Sequence, residues 1–111
     1  MNDEDQSAKI RTLNDAFRRS FQGGAVVLTA GIVALGSNVQ DRIMAAVQAF
    51  DDFSQDNDPW GEHDFGTLAL CGQTIFFKID YFDPTRAMHS EDPTDPSKTE
   101  RVMTIMLASE Y

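Results

Sequence analysis

The sequence has few of the residues from which small proteins build covalent or metal frameworks. Its 111 residues include one cysteine, Cys71, and two histidines. A single cysteine excludes an internal disulfide and fits a reducing compartment. The histidines, His63 and His89, lack the spacing that is typical of a zinc site. We therefore expect neither a bound metal nor another cofactor.

Basic residues are also scarce. Nine Lys and Arg stand against 18 Asp and Glu, which gives a formal net charge of −9. Because phosphate backbones bind clustered Lys and Arg, we do not expect this chain to bind nucleic acid directly. A protein of this charge can still bind other proteins that handle nucleic acids.

Long hydrophobic runs are missing as well. The longest apolar-rich stretch, residues 23–36, is interrupted by glycines and is too short to span a bilayer. The first five residues are acidic and polar, the opposite of the basic start of a signal peptide. We expect a cytoplasmic protein that makes no membrane contact.

Hydrophobic residues make up 41% of the chain and include eight Phe, enough to form one core without covalent cross-links. The length fits one domain, residues 1–111, in which residues 1–6 are expected to form a disordered tail. Apolar spacing predicts an amphipathic helix over residues 7–21, with its polar residues on the exposed side (Arg11, Asp15, Arg18 and Arg19).

The remaining pattern predicts a second helix over residues 39–53 and four strands. The strands cover residues 25 to about 33, 65–70, 74–82 and 100–109. Apolar side chains on both faces of the last strand indicate a central position in the sheet. The predicted fold is α+β with the order α-β-α-β-β-β. Three consecutive strands favour an antiparallel meander with the two helices packed on one face.

Two loops concentrate the acidic residues. Residues 51–64 carry six carboxylates and no basic residue, and Pro59 and Gly61 indicate a turn. Residues 83–98 contain three of the four prolines and form the second loop. The candidate partner-binding residues lie in these loops and at the end of the preceding strand: Asp51, Asp52, Asp56, Asp58, Trp60, Glu62, His63, Asp64, Asp80, Asp83, Glu91, Asp92 and Asp95.

The triplet Glu62-His63-Asp64 is the cluster that most resembles a catalytic site. An imidazole beside carboxylates suits a general base, but adjacent residues of an extended segment point to opposite sides. The triplet could equally lock the loop or contact a partner. A calcium loop starting at Asp56 is excluded because its twelfth position is Thr67, where a Glu is required. We assign no catalytic residue and no metal ligand.

Three blocks are similar to a known family. They are NDPWGEHDFG at residues 57–66, FKIDYFD at residues 77–83 and RVMTIMLASEY at residues 101–111. With weaker agreement before them, these blocks resemble a family of small bacterial proteins of unknown function. The resemblance covers nearly the whole chain. It implies an origin on plasmids and other mobile elements, and it implies no catalytic residue.

Three functional hypotheses follow. The favoured one is an acidic interaction protein whose loops imitate phosphate charge and inhibit a nucleic-acid-handling protein, such as a nuclease or a CRISPR surveillance complex. This rests on analogy with anti-restriction and anti-CRISPR proteins, and ordinary solubility explains the charge equally well. The alternatives are a small enzyme or ligand-binding protein centred on Glu62, His63, Asp64 and Lys78, and a structural protein that oligomerises through an exposed strand. The sequence does not determine the oligomeric state.

Overall fold

The computed structural model describes residues 3–111, which form a four-stranded sheet with three α-helices. The helices are α1 (Asp3–Ser20), α2 (Ala30–Val33) and α3 (Ser37–Ala49). The strands are β1 (Gly24–Leu28), β2 (Phe65–Leu70), β3 (Gln73–Phe82) and β4 (Glu100–Leu107), and short 3₁₀ turns cover Pro96–Lys98 and Ala108–Glu110. Residues 3–6 of the expected tail belong to α1, and residues 1–2 lie outside the described residues.

The prediction of a purely antiparallel meander was wrong. The sheet has the order β1-β4-β3-β2, in which β2, β3 and β4 are antiparallel neighbours but β1 pairs with β4 in parallel. Val26 of β1 lies opposite Met103 of β4. The predicted central position of β4 is confirmed, and it explains the error. A strand that is apolar on both faces is typical of the interior of a sheet, and β1 gives β4 its second neighbour, on the edge that the meander leaves open.

The first strand is shorter than predicted, because residues 30–33 form α2. A carboxylate from the far end of the chain helps to fix this turn. Glu110 accepts hydrogen bonds from the Thr29 hydroxyl (2.6 Å) and from the Gly31 N–H (3.0 Å). The α3 helix also ends earlier than predicted, since Phe50 adopts an extended backbone with ψ of 131°.

The core lies between the helices and one face of the sheet. Phe17 of α1, Ile32 of α2 and Ile43 of α3 pack against Phe77 of β3 and Ile105 of β4. The alternation of the strands directs every second side chain to this face. Among the side chains of the other face are the ring cluster of Phe65, Phe76 and Tyr111 and the ion pair of Lys78 with Asp80 at 3.0 Å.

No helix within residues 3–111 is both long enough and apolar enough to cross a membrane.

Candidate functional site

Residues 51–64, hereafter the Trp60 loop, connect α3 to β2 and are closed by their own hydrogen bonds. The Asp58 N–H donates to the Ser54 carbonyl at 2.8 Å, and the Gly61 N–H donates to the Asp58 carbonyl at 3.1 Å. The side-chain amide of Asn57 donates to the Asp52 carbonyl at 2.8 Å. Asn, Asp and Ser favour such local bonds, so the polar composition that predicted a turn also builds it.

The polar face of α1 fastens the Trp60 loop to the core. Arg11 Nη1 donates to the Gly61 carbonyl at 2.8 Å, and Asn14 Nδ2 donates to the Glu62 carbonyl at 3.0 Å. Asp15 Oδ1 lies 2.8 Å from His63 Nδ1. Residues three and four apart share one face of a helix, which is why one stripe of α1 reaches successive residues of the loop.

His63 is held between two carboxylates and a phenyl ring. Its Nε2 lies 3.6 Å from Asp58 Oδ2, on the side of the ring away from Asp15. Its backbone N–H donates to the same Asp58 carboxylate at 3.3 Å, and its φ is 56°. The imidazole stacks on Phe53 with ring centroids 3.8 Å apart. With 23% of its side chain exposed, His63 works mainly as a fastening point for the loop.

Arg18 adds a buried cation to this charged cluster. Only 1% of the residue is exposed, so the prediction that Arg18 faces water was wrong. Its Nη1 lies 2.8 Å from Asp15 Oδ1, and its guanidinium lies 5.2 Å from the centroid of the Phe53 ring. Burial raises the pKa of Asp15, but the hydrogen bonds from Arg18 and His63 outweigh it, so the pKa is below its ordinary value.

A second buried network joins the Trp60 loop to the sheet. Asn14 is fully buried, and its Nδ2 also donates to the Tyr81 hydroxyl at 2.7 Å. The Tyr81 hydroxyl donates to Glu62 Oε1 at 2.9 Å, and Arg101 Nε donates to Asn14 Oδ1 at 2.8 Å. Arg101 Nη2 donates to the Pro93 carbonyl at 2.6 Å, which brings in the second acidic loop. Burial is the main cause that raises the pKa of Tyr81.

Ionisation of the Asp64 side chain, at the end of the Trp60 loop, is unfavourable in the folded chain. Its carbonyl accepts a hydrogen bond from the Ile79 N–H at 2.8 Å, which extends the β2–β3 ladder. Burial, followed by the negative charge of Glu62, raises the pKa of Asp64 to about 6. The geometry of the loop is therefore maintained although one of its carboxylates is disfavoured in the ionised form.

Trp60 lies at the tip of this loop and is 78% exposed. It borders two surface depressions. One, of about 570 Å³, also has Glu4, Asp5 and Arg11 in its wall. The other, of about 360 Å³, includes Asp58 and His63. A large aromatic side chain is thus displayed between acidic groups by a loop that is closed by its own hydrogen bonds and is bonded to α1 through residues 61–63.

A protein-family model matches most of the chain. The family DUF3768, whose members are described as proteins of unknown function, matches residues 28–110. The chain belongs to the DUF3768 family. The matched region contains the Trp60 loop, β2, β3 and β4, whereas α1 and all of β1 except Leu28 precede it. No curated protein and no solved structure significantly matches this chain.

Within the DUF3768 region, the six candidate carboxylates of the Trp60 loop divide into two groups. Asp51, Asp52 and Asp56 are exposed. The other three are buried or half-buried: the carboxylates of Asp58 and Glu62 accept hydrogen bonds that hold the loop, whereas Asp64 contributes its backbone carbonyl. Sequence reasoning placed all six on one surface, and it had no signal with which to distinguish the groups.

The candidates from the second loop are not gathered around Trp60. Asp83, Asp92 and Asp95 each accept hydrogen bonds from residues two positions further on, at 2.5–3.1 Å, and so stabilise their own turns. Glu91 is exposed and lies 3.7 Å from Lys98. Asp80 pairs with Lys78 on the sheet face opposite the core.

The residues proposed for an enzyme site are not brought together either. Lys78 lies on the sheet face opposite the helices, whereas His63 faces α1. Glu62 is engaged with Tyr81. Cys71 is exposed in the turn between β2 and β3, at the end of β2 away from His63. Within the described part of the chain, no group of three or more His, Cys, Asp or Glu side chains is placed to hold a metal ion.

Proposed function

We propose that this chain is a small cytoplasmic interaction protein that binds a basic surface of a nucleic-acid-handling protein through the Trp60 loop. The observation that carries the proposal is the exposure of Trp60, at 78%, on a loop whose residues 61–63 are bonded to α1 and whose Asp58 accepts from the His63 N–H. Tryptophan is enriched among the residues that dominate binding energies. A monomeric protein gains nothing in stability from displaying it.

The construction of the loop favours binding. An interface loses free energy when mobile segments must be ordered, and a loop that is already fixed avoids most of that cost. Here Arg11, Asn14 and Asp15 of α1 hold three consecutive loop residues from one side. The Trp60 side chain therefore stands on a preformed base.

The charge around Trp60 defines the partner. Asp51, Asp52 and Asp56 are exposed on the same loop, and Glu4 and Asp5 border the depression beside the indole. An arginine or lysine of the partner can lie on the indole face and also meet these carboxylates. The net charge of −9 steers the chain towards positive surfaces. Such surfaces are typical of proteins that bind nucleic acids.

The finer form of the proposal is inhibition of a defence nuclease. An acidic surface that occupies a nucleic-acid cleft excludes the substrate, as expected for an anti-restriction or anti-CRISPR protein. The sequence blocks shared with a family of small bacterial proteins, and the mobile-element origin that this resemblance implies, support the choice of partner.

The test is a protection assay in cells that carry a restriction or CRISPR system. Expression of the chain is expected to raise the efficiency with which a targeted plasmid transforms those cells. Trp60→Ala is expected to abolish most of this protection. Met88→Ala is the matched control, since Met88 is also a large exposed side chain, at 71%, but lies in the second loop. No protection by the wild-type chain against either system, or equal loss in both variants, would contradict the proposal.

A further inference from the structure

A small cavity separate from the Trp60 loop lies where α1, the turn that follows it and the second acidic loop meet. Its volume is about 170 Å³. Leu13, Ala16 and Phe17 of α1 form an apolar wall, and Thr99 and Arg101 face them from the sheet side. The function proposed above makes no use of this cavity.

Arg101 is a buried cation that forms no ion pair, although its guanidinium lies 5.2 Å from the centroid of the Tyr81 ring and the negative charge of Glu62 favours its protonated form. Only 3% of it is exposed, and none of the ion pairs formed by residues 3–111 includes it. Its hydrogen bonds go to two neutral acceptors, the Asn14 side chain and the Pro93 carbonyl. Buried charges in proteins are ordinarily paired with an opposite charge, because removing them from water is costly.

One nitrogen of this guanidinium is available to a ligand. Nε donates to Asn14 and Nη2 donates to Pro93, but Nη1 has no acceptor among the described residues. A guanidinium carries five N–H donors in a planar fork that matches a carboxylate. Arg101 is one of the residues that line the cavity, which brings a cation without an ion pair next to this space.

We propose that this cavity is a binding site for a small aliphatic monocarboxylate, with Arg101 holding the carboxylate and the α1 wall holding the alkyl chain. The walls are largely apolar, which favours an organic acid over inorganic phosphate. Arg101 is also the one basic residue that lines the cavity, in a chain of net charge −9, and this favours a single negative charge.

The volume limits the length of the acid. At about 170 Å³ the cavity is small, which favours a short-chain acid. Butyrate, with four carbons and two oxygens, is the probe chosen here. Acids with longer chains are expected to bind more weakly.

The test is a titration of the full chain with sodium butyrate, followed by two-dimensional ¹H–¹⁵N NMR against sodium chloride of the same ionic strength. Saturable shifts are expected at the Arg101 Nε–H and at the Gly23 and Thr99 amides. Ala16→Leu, which fills the cavity from an exposed helical position, is expected to weaken binding at least tenfold while the chain stays folded. Ala45→Leu makes the same change at an exposed position of α3 and is expected to leave binding unaltered.

Arg101→Lys is expected to weaken binding to a similar extent, with Arg86→Lys as the exposed control. Three results would overturn the proposal: butyrate shifts no larger than those from chloride, saturable shifts that persist in Ala16→Leu, or tighter binding of inorganic phosphate than of butyrate. None of these results bears on the Trp60 loop, so the two proposals stand or fall separately.

Discussion

At the scale of single residues, Asn14 shows how polar groups hold the Trp60 loop. It is fully buried, and its amide donates to Glu62 and Tyr81 while its carbonyl accepts from Arg101. Asparagine is the one side chain of this size that offers two donors and an acceptor in a plane. The side chain therefore connects α1, the Trp60 loop, β3 and β4 at one point.

Asn14→Ala is expected to lower the free energy of unfolding by about 2–4 kcal/mol. The change leaves buried groups on Arg101 and Glu62 without partners, and an unpaired buried group costs roughly 1–3 kcal/mol. Urea denaturation measures the effect. Asn38→Ala serves as the control, because Asn38 is exposed and is expected to change stability by less than about 0.5 kcal/mol. Equal effects of the two substitutions would show that the network contributes nothing.

Asp64 is expected to make stability depend on pH. Its pKa is raised from 3.8 to about 6, so the folded state binds more protons than the unfolded state between these values. The contribution of Asp64 to stability therefore falls as pH rises through this window, and the full cost is present above about pH 6. Asp64→Asn is expected to stabilise the chain at pH 7 by about 1 kcal/mol, allowing for screening of a half-exposed group.

The quantity to measure is the difference in unfolding free energy between wild type and Asp64→Asn at several pH values. The difference is expected to be near zero at pH 3 and to grow between pH 4 and pH 6. Asp41→Asn, at an exposed position of α3, is the matched control for the substitution itself. A stabilisation by Asp64→Asn that is independent of pH would contradict the assigned cause.

At the scale of secondary structure elements, β2 approaches the core so closely that one position requires glycine. A Cβ on Gly66 would overlap the Phe77 ring and lie 2.9 Å from Cε1 of Phe50. These two rings are part of the packing between α3 and the sheet, with centroids 5.2 Å apart. The close approach sets the position of the strand that follows the Trp60 loop.

Gly66→Ala is expected to destabilise the chain by about 1–3 kcal/mol, because Phe77 is fully buried and cannot move without disturbing the core. Thermal denaturation measures the effect. Ala69→Val adds carbons on the exposed side of the same strand and is expected to be nearly neutral. If Gly66→Ala were as mild as Ala69→Val, the described packing of β2 against Phe77 would be wrong.

The parts of the fold that were predictable are those with local causes. The alternation in β2, β3 and β4 and the apolar stripe of α1 follow from each segment alone, and these elements were placed within a few residues. The pairing of β1 with β4 and the formation of α2 depend on contacts across the chain. Thr29 and Gly31 bind Glu110, about 80 positions away, and no local pattern contains that information.

The residues of the candidate site also divide into those that the local sequence predicts and those that depend on distant contacts. Pro59 and Gly61 marked the turn that presents Trp60. The residues that hold it were missed, because Asp15 and Arg18 were expected to face water as charged residues usually do. Arg101 could have been found, since it precedes Met103 and Ile105 at two-residue spacing and so shares their buried face. The partners of these charges, however, come from distant segments.

At the scale of the whole molecule, exposed carboxylates lie in several separate parts of the surface. Asp51 and Asp52 are exposed at the start of the Trp60 loop, while Asp41 and Glu91 are exposed elsewhere. If the acidic residues serve only solubility, removing two negative charges is expected to have the same effect at any exposed position. If the Trp60 loop binds a basic partner, removing charges from this loop is expected to weaken binding more than removing them elsewhere.

Asp51→Asn/Asp52→Asn and Asp41→Asn/Glu91→Gln each remove two negative charges. We expect the first pair to weaken binding of the partner by roughly tenfold, chiefly through a slower association rate that depends on salt. The second pair is expected to change binding by less than about twofold. Surface plasmon resonance at two salt concentrations distinguishes them, and equal effects would favour plain solubility as the role of the charge.

The most direct test of the central claim is co-purification of the tagged chain from cells that carry restriction and CRISPR systems. Wild type, Trp60→Ala and Met88→Ala would be purified side by side at low and high salt, with bound proteins identified by mass spectrometry. A stoichiometric nucleic-acid-handling protein that binds wild type and Met88→Ala, is lost with Trp60→Ala and is weakened by salt is the expected result. A chain that purifies alone at both salt concentrations, or a partner retained equally by Trp60→Ala, would contradict the claim that the Trp60 loop is a binding surface.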